Sequence, residues 1–138
     1  MKIPSIAQIR EADAFTIKNE PIASIDLMER AASLCVKKIM HLFDNQTSIM
    51  LFCGMGNNGG DGLAIARMLW QNNYICEVYV VKHAKKYSDD CQINLKRLRE
   101  FHPECIHEIN QEAEIPSLHT GLIVDAVLGS GLNKAVTD

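Results

Sequence analysis

Apolar residues recur at helical spacing in some segments of this chain and form unbroken runs in others. The helical spacing predicts helices at residues 5–18, 24–42, 63–71 and 88–102. The unbroken run at residues 48–53 is typical of a strand buried in a parallel sheet, and further strands are predicted at residues 76–81, 105–109 and 121–129, the last apolar except for one Asp. Residues 111–120 are expected to form a loop with at most a turn of helix. Strands that alternate with helices predict a doubly wound α/β fold, in which a mainly parallel sheet has helices on both faces and follows two N-terminal helices.

The predicted strand order brings two glycine-containing segments to one edge of the sheet. In the doubly wound order 3-2-1-4, the first and fourth strands are neighbours, and a crevice opens between their carboxyl ends. Residues 54–62 follow the first strand, and residues 129–131 follow the fourth. We therefore expect four polar side chains to converge on one site. They are Asn57, Asn58, Asp61 and Asp125.

The first of these segments contains five glycines within the nine residues 54–62. Glycine tolerates positive φ and lets a ligand approach the main chain without interference from a Cβ atom. The segment leads into the helix predicted to begin at Leu63, and the unpaired N–H groups and dipole of a helix N-terminus favour an anion. Asp61 could contact the ligand or cap the helix, because aspartate is also a common cap at the start of a helix.

The composition is that of an ordinary globular domain. The chain has 138 residues, a net charge of −3 and a pI near 5.9, which offers no electrostatic footprint for nucleic acid. The first ten residues carry charges where a signal peptide would be apolar, and no apolar run reaches membrane-spanning length. The five cysteines lack C-x-x-C spacing and are expected to be reduced core residues, while the five histidines lack ligand spacing and are expected at the surface. These features predict a cytoplasmic protein that binds neither nucleic acid nor a membrane.

The glycine segment also matches the dinucleotide-binding pattern Gly54-x-Gly56-x-x-Gly59 in its strand-to-helix setting. An NAD site usually places Asp or Glu at the end of the second strand, where it holds the ribose hydroxyls. That strand ends at Val81 and is followed by Lys82, so the acidic residue is missing. Lys82 could pair with the 2′-phosphate of NADP, although an exposed lysine after a strand is more often solvated. A plain NAD(P)-binding domain of a dehydrogenase stays open, whereas a Walker loop is excluded because no Gly-Lys-Ser/Thr sequence occurs.

Longer stretches of the sequence indicate which kind of nucleotide-binding protein this is. Residues 54–63, Gly-Met-Gly-Asn-Asn-Gly-Gly-Asp-Gly-Leu, with Ala-Arg at 66–67, closely resemble the signature of the NAD(P)H-hydrate epimerase family, the YjeF-type N-terminal domain. Residues 124–132, Val-Asp-Ala-Val-Leu-Gly-Ser-Gly-Leu, are similar to the second hallmark of that family. The opening of the chain, at residues 11–13 and 28–32, is similar as well. The resemblance covers essentially the whole chain.

The resemblance implies a Rossmann-like fold that interconverts the R and S epimers of hydrated NADH or NADPH at nicotinamide C6. A partner dehydratase, often fused to this domain in bacteria, then acts on the S form. By the match of motifs, the hydrated cofactor is bound by Asn57, Asn58, Gly59, Gly60 and Asp61, and its phosphates are bound by Gly129, Ser130, Gly131, Leu132, Asn133, Lys134 and Ala135. The resemblance also implies a homodimer and a potassium ion held by Asn58 and Asp125, whose oxygen atoms suit a hard cation.

Asp125 is the predicted catalytic residue. Epimerisation must break and remake a bond to C6, so its transition state needs proton transfer and stabilisation of shifting charge. Our hypothesis is that Asp125, directly or through the cation, orients the C6 hydroxyl while Asp61 and loop N–H groups fix the ring. A purely structural role for Asp125 is the alternative, since a carboxylate at the end of a buried strand usually has a partner.

The chain ends at Asp138, soon after the fourth strand, whereas members of the family continue with a further strand and helices. We therefore expect one domain over residues 1–138 that is incomplete at its carboxyl end and could be inactive by itself. The fourth strand would then form an uncovered apolar edge, which predicts self-association. A non-catalytic nucleotide-binding or interaction module on the same scaffold is the remaining alternative.

Overall fold

The computed structural model of the chain describes residues 23–118 and 121–128. The helices and strands within these residues are α1 Ser24–Leu42, β1 Ile49–Cys53, α2 Asn57–Gln71, β2 Cys76–Val81, α3 Asp89–Phe101, β3 Ile106–Ile109 and β4 Leu122–Ala126. Short 3-10 turns occupy Pro103–Cys105 and Glu112–Glu114, the latter within the predicted loop. The helix predicted at residues 5–18 and the glycine segment predicted at residues 129–131 lie outside the described residues.

The four strands form one parallel sheet in the order β3-β2-β1-β4. Leu51 of β1 lies opposite Val78 of β2 on one side and opposite Val124 of β4 on the other. This register confirms the predicted strand order and the predicted contact between the first and fourth strands. The carboxyl ends of β1 and β4 therefore lie side by side.

One face of the sheet forms the hydrophobic core. Alternate residues of β1 and β2 are 2% exposed or less and cluster with α2, among them Leu51, Cys53, Val78 and Val80. α2 contacts β1, β2 and β4, while α1 and α3 pack against α2. The opposite face carries half-exposed side chains such as Tyr79. The architecture confirms the predicted α/β class, and helical cover of this second face stays a prediction.

α3 begins and ends where its sequence signals predict. The Ser88 hydroxyl accepts a hydrogen bond from the Cys91 N–H at 3.3 Å, which is the predicted N-cap interaction. The helix ends at Phe101, and Pro103 begins the 3-10 turn that leads into β3. Local signals were sufficient for this helix because both of its ends are set by residues within or next to it.

Two side chains hold α2 in place between its neighbours. The Oε1 atom of Glu29 in α1 accepts hydrogen bonds from Arg67 of α2 and from Arg97 of α3, the latter at 3.0 Å. Three residues later, the Nε1–H group of Trp70 donates to the carbonyl oxygen of Cys76 at 3.1 Å. These contacts hold the carboxyl-terminal part of α2 against α1, α3 and the start of β2.

α2 begins at Asn57, so the prediction that it begins at Leu63 is wrong. Glycine and asparagine are weak helix formers, and a run of them reads as a loop when the sequence is considered alone. In the folded chain the run is helical from its first turn, where the Gly60 N–H donates to the Gly56 carbonyl oxygen at 3.0 Å. Burial of the segment against its neighbours outweighs its weak intrinsic propensity. Only residues 54–56 connect β1 to α2.

The cysteines behave as predicted. All five are buried and none forms a disulfide. Each therefore packs as a small apolar side chain in the interior. Within residues 23–118 and 121–128, no helix is both long enough and apolar enough to cross a lipid bilayer.

The histidines follow the surface prediction where the structure describes them. His41, His83 and His107 are exposed. His102 is half-buried and stacks on the Trp70 ring with a centroid separation of 3.9 Å. His119 lies outside the described residues.

Candidate functional site at the first turn of α2

A three-residue loop joins the end of β1 to the first turn of α2. The Gly54 N–H donates to the carbonyl oxygen of Ala126 at 2.9 Å, which ties the loop to the carboxyl end of β4. Met55 is buried, and Gly56 is the N-cap of α2 with an extended backbone and no side-chain cap. Because the N-cap carries no side chain, the first turn of the helix is left open to an external partner for its N–H groups.

The glycines of this segment are needed for close packing. A Cβ atom at Gly54 would lie 2.2 Å from the Val127 carbonyl oxygen, and one at Gly59 would lie 1.9 Å from the Gly54 carbonyl oxygen. At Gly62 it would lie 2.7 Å from the sulfur of the last residue of β1, whereas at Gly56 it would meet no heavy atom within 4 Å. None of these glycines has positive φ; within the described part of the chain, Gly121 is the glycine that does. The prediction that these glycines provide positive φ is therefore wrong. At Gly54, Gly59 and Gly62, glycine is needed because a Cβ atom would clash with neighbouring atoms.

The first turns of α2 carry the polar residues predicted to bind the cofactor. Asn57 is exposed, while Asn58 is 5% exposed and Asp61 is 2% exposed. Both side-chain atoms of Asn58, Oδ1 and Nδ2, are buried without a hydrogen-bond partner among the described residues. A buried amide with neither atom paired is costly, so the position suits a ligand that would pair with it. Asp61 is the fifth residue of the helix, so the alternative that it caps the helix is wrong.

Asp61 lies beside two buried thiols. Burial, with a smaller contribution from the Asp61 carboxylate, raises the pKa of the Cys91 thiol to about 12. Burial likewise raises the pKa of the Cys53 thiol well above its ordinary value, with Cys91 and then Asp61 among the smaller causes. Both thiols are therefore uncharged at neutral pH, and neither is activated as a nucleophile.

A second segment, residues 82–88 between β2 and α3, contacts this loop. The Met55 N–H donates to the His83 Nε2 atom at 3.2 Å, and the Met55 carbonyl oxygen accepts from the Ser88 N–H at 2.9 Å. The Ser88 hydroxyl also bonds the Oδ1 atom of Asn57 at 2.6 Å. Ser88 was predicted as a helix cap, whereas its contacts with Met55 and Asn57 were not predicted. The contact of His83 with Met55 was not predicted either, because no spacing signal joins residues so far apart in the chain.

Asp125 lies in β4 on the face of the sheet that points away from α2. It pairs in register with Phe52, and its neighbour Ala126 faces Gly62 of α2. The Asp125 carboxylate is exposed, and its Oδ1 atom accepts a hydrogen bond from the Val127 N–H at 3.1 Å. It borders a mostly apolar cavity of about 370 Å³ on that face, which Phe52 and Val127 also line.

The structure thus groups Asn57, Asn58 and Asp61 in the first turns of α2, and joins this group to the end of β4 through a backbone hydrogen bond. Convergence of Asp125 with these side chains stays a prediction. The predicted phosphate-binding residues 129–135 lie outside the described residues. In the part of the chain that is described, no three His, Cys, Asp or Glu side chains form a group suited to a metal ion. The unpaired, buried Oδ1 atom of Asn58 nevertheless fits one oxygen ligand of a hard cation.

A parallel α/β sheet whose first strand leads through a glycine-containing loop into a helix with a glycine-rich start defines a Rossmann-like protein. The family model described as YjeF-related protein N-terminus matches residues 24–138. The chain belongs to this family, which confirms the resemblance drawn from its motifs.

Relatives of known name agree with this assignment. The NAD(P)H-hydrate epimerase of Anaerococcus prevotii is 37% identical over 134 residues, which cover 93% of this chain and 60% of that protein. The NAD(P)H-hydrate epimerase of Oenococcus oeni is 35% identical, covering 96% of this chain and 61% of that protein. The bifunctional NAD(P)H-hydrate repair enzyme Nnr of Moorella thermoacetica is 31% identical over 98% of this chain and 27% of its own length. The chain therefore spans about 60% of the two epimerases it matches.

A solved structure supports the fold. The crystal structure of yeast ynu0, YNL200c, matches with a TM-score of 0.69 at 20% sequence identity. The match covers 100% of this chain and 61% of that chain.

Proposed function

We propose that this chain contributes the hydrated-cofactor site of an NAD(P)H-hydrate epimerase, which interconverts the R and S forms of hydrated NADH and NADPH at nicotinamide C6. The observation that carries the proposal is the buried, unpaired amide of Asn58 at the first turn of α2, in a chain whose relatives bear the name NAD(P)H-hydrate epimerase. An amide that is buried without a partner is a site for a polar ligand, and the names of the relatives indicate which ligand.

In this proposal residues 57–61 contact the hydrated nicotinamide end of the substrate, and residues 129–135 bind its phosphates. The first N–H groups of α2 lack intrahelical partners by the geometry of any helix, and they belong to the same turn as Asn57 and Asn58. Neutral and anionic acceptor groups of the substrate are natural partners for these donors. Asp61, buried one turn later, would hold the ring through its carboxylate.

A potassium ion bound to Asn58 and Asp125 is the proposed cofactor. The Oδ1 atom of Asn58 is buried without a partner among the described residues, and the exposed carboxylate of Asp125 retains acceptor capacity beyond its bond to Val127. An amide oxygen and a carboxylate match the preference of a hard cation for oxygen ligands. The ion, when bound, would offset negative charge that develops on the C6 oxygen.

Asp125 is the proposed catalytic residue. Its exposed carboxylate is free to accept a hydrogen bond from the C6 hydroxyl, which would orient that group as the bond to C6 breaks and reforms. The apolar cavity of about 370 Å³ beside Asp125 would exclude water from one side of the reacting carbon. Asp125→Asn keeps the shape of the side chain and removes its charge, so it should lower epimerisation strongly without unfolding the chain.

The proposal extends to partners and compartment. The relatives of Moorella thermoacetica and Salinibacter ruber are named bifunctional NAD(P)H-hydrate repair enzymes, which supports a functional link to a dehydratase that acts on the S hydrate. A homodimer is proposed from the family resemblance and from the apolar residues on the open face of the sheet. Five reduced, buried thiols suit the reducing cytoplasm, where the cofactors are found.

The plain dinucleotide-binding alternative is not favoured. The residue that follows β2 is Lys82, whose ammonium group donates to the Tyr87 hydroxyl at 3.1 Å and lies 4.7 Å from the centre of that ring. These contacts engage Lys82 within its own loop, and they do not replace the carboxylate that a ribose would need.

The proposal is tested by supplying the R hydrate of NADH and following formation of the S epimer by chromatography. We expect epimerisation that is faster in potassium than in sodium or choline chloride, and a loss of at least tenfold in Asn58→Ala. Asn45→Ala, at an exposed asparagine in the turn between α1 and β1, is the matched control and should retain full rate. Equal rates in Asn58→Ala and in the unaltered chain, or no potassium dependence, would contradict the proposal.

A further inference from the structure

We infer that residues 82–88, here called the bracing segment, position the loop before α2 for ligand binding, with His83 as the principal positioning residue. The inference rests on the proposed function for the identity of the ligand. It concerns two residues, His83 and Ser88, that lie outside the family motifs of the sequence.

The bracing segment takes both backbone polar groups of Met55. The Met55 N–H donates to the His83 Nε2 atom at 3.2 Å, and the Ser88 N–H donates to the Met55 carbonyl oxygen at 2.9 Å. Because a backbone N–H and C=O are attached to neighbouring peptide planes, these two bonds fix the planes on both sides of Met55. The loop direction into α2 is set by those planes.

The imidazole of His83 also lies directly against the loop backbone. A Cβ atom placed on Gly54 would be 2.9 Å from the His83 Nε2 atom. His83 itself is exposed, so its ring adds little to the hydrophobic core. The main structural contribution of His83 is therefore the hydrogen bond that its Nε2 atom accepts from the loop backbone.

Ser88 orients the first polar side chain of the proposed site. Its hydroxyl accepts from the Cys91 N–H and bonds the Oδ1 atom of Asn57 at 2.6 Å. A hydroxyl has one hydrogen, and the Asn57 oxygen is an acceptor, so the hydrogen is donated to Asn57. This leaves the Nδ2 group of the exposed Asn57 as the part of its amide that can donate to a ligand.

These contacts give the bracing segment a defined role. The N–H groups of Asn57, Asn58 and Gly59 begin α2 and have no partner within the helix. Their direction depends on the peptide planes that precede them, which are the ones fixed by His83 and Ser88. Loss of the His83 acceptor should therefore weaken ligand binding while leaving the fold intact.

The test combines amide hydrogen exchange with binding of the R hydrate of NADH. In His83→Leu, exchange of the Met55 amide should speed up roughly three- to tenfold, as expected for the loss of one hydrogen bond, and the Kd for the hydrate should rise by a similar factor. His83→Gln should restore both values, because the Gln Oε1 atom lies as many bonds from Cγ as the His Nε2 atom and also accepts. His41→Leu makes the same change at an exposed histidine of α1 and should alter neither.

Two outcomes would overturn the inference. One is unchanged Met55 exchange in His83→Leu, and the other is faster exchange with an unchanged Kd. A failure of the hydrate to bind even the unaltered chain would instead count against the proposed function, and the exchange data, which need no ligand, would still decide whether His83 braces the loop.

Discussion

Replacing Gly59 by alanine should destabilise the chain strongly, whereas the same replacement at Gly56 should be tolerated. A Cβ atom at Gly59 would lie 1.9 Å from the carbonyl oxygen of Gly54, but at Gly56 it would meet no heavy atom within 4 Å. The two positions lie in the same short segment and receive the same methyl group. Comparing the two variants therefore separates the destabilisation caused by the clash from the effect of adding a methyl group to this segment.

The expected loss of stability in Gly59→Ala follows from the atoms that must move to make room for the methyl group. Non-bonded heavy atoms prefer separations of about 3.5 Å or more, so the Gly54 carbonyl would have to shift by more than about 1 Å. Gly54 cannot move freely because its N–H is bonded to Ala126 at 2.9 Å. Overpacking costs up to about 3 kcal/mol, loss of that hydrogen bond costs about 1 kcal/mol, and the better helix propensity of alanine returns about 1 kcal/mol. The expected loss for Gly59→Ala is thus about 3 kcal/mol.

At Gly56 the expected changes in the free energy of unfolding are small. The residue is the N-cap of α2, with φ −90° and ψ −168°, a conformation open to alanine. Alanine is a poorer N-cap than glycine, so the expected loss is within about 1 kcal/mol. Urea unfolding followed by circular dichroism measures both free energies. The reasoning is refuted if Gly59→Ala is as stable as the unaltered chain, or if Gly56→Ala loses as much as Gly59→Ala.

Three further predictions concern the surroundings of the site. Ser88→Ala should lower the free energy of unfolding by about 1 kcal/mol through loss of the α3 cap, and Ser88→Thr, which keeps the hydroxyl, should retain stability; equal stability of both variants in urea would contradict this. Burial raises the pKa of the Cys91 thiol from 9.0 to about 12, so the unfolded thiol ionises first, and this thiol alone should lower stability by up to about 1.4 kcal/mol per unit as the pH rises above 9. Cys91→Ala should remove this contribution and leave that of the other buried thiols, and stability that rises over the same range would show the sign to be wrong. Glu29→Gln should cost about 1–2 kcal/mol in thermal unfolding because Arg67 and Arg97 lose their shared carboxylate, and an unchanged transition would mean that the pairs are too solvated to matter.

The fold was largely predictable because its signals are local. Largely apolar segments indicate β1, β2 and β4, and Ser88 and Pro103 mark the ends of α3 within a few residues of the chain. The parallel order of the strands then follows from the alternation of strands and helices together with the rules of connection. These features depend on patterns that neighbouring residues carry by themselves.

The start of α2 and the contacts of His83 were not predictable in the same way. Residues 57–62 have low helix propensity, and their helical form depends on packing against β1, β4 and α3. The bond between Met55 and His83 joins residues 28 positions apart, and no sequence pattern announces such a pair. The candidate site was recognised in sequence through its motif, while the geometry that supports it comes from tertiary contacts.

Binding of the hydrated cofactor at the first turn of α2 can be observed residue by residue through changes in amide chemical shifts. A 15N-labelled chain is titrated with the R hydrate of NADH and, in parallel, with intact NADH. We expect the largest shift changes at Asn57, Asn58 and Gly59, with a lower Kd for the hydrate than for intact NADH. Largest changes at the end of β2 near Lys82, with equal affinity for both compounds, would contradict it.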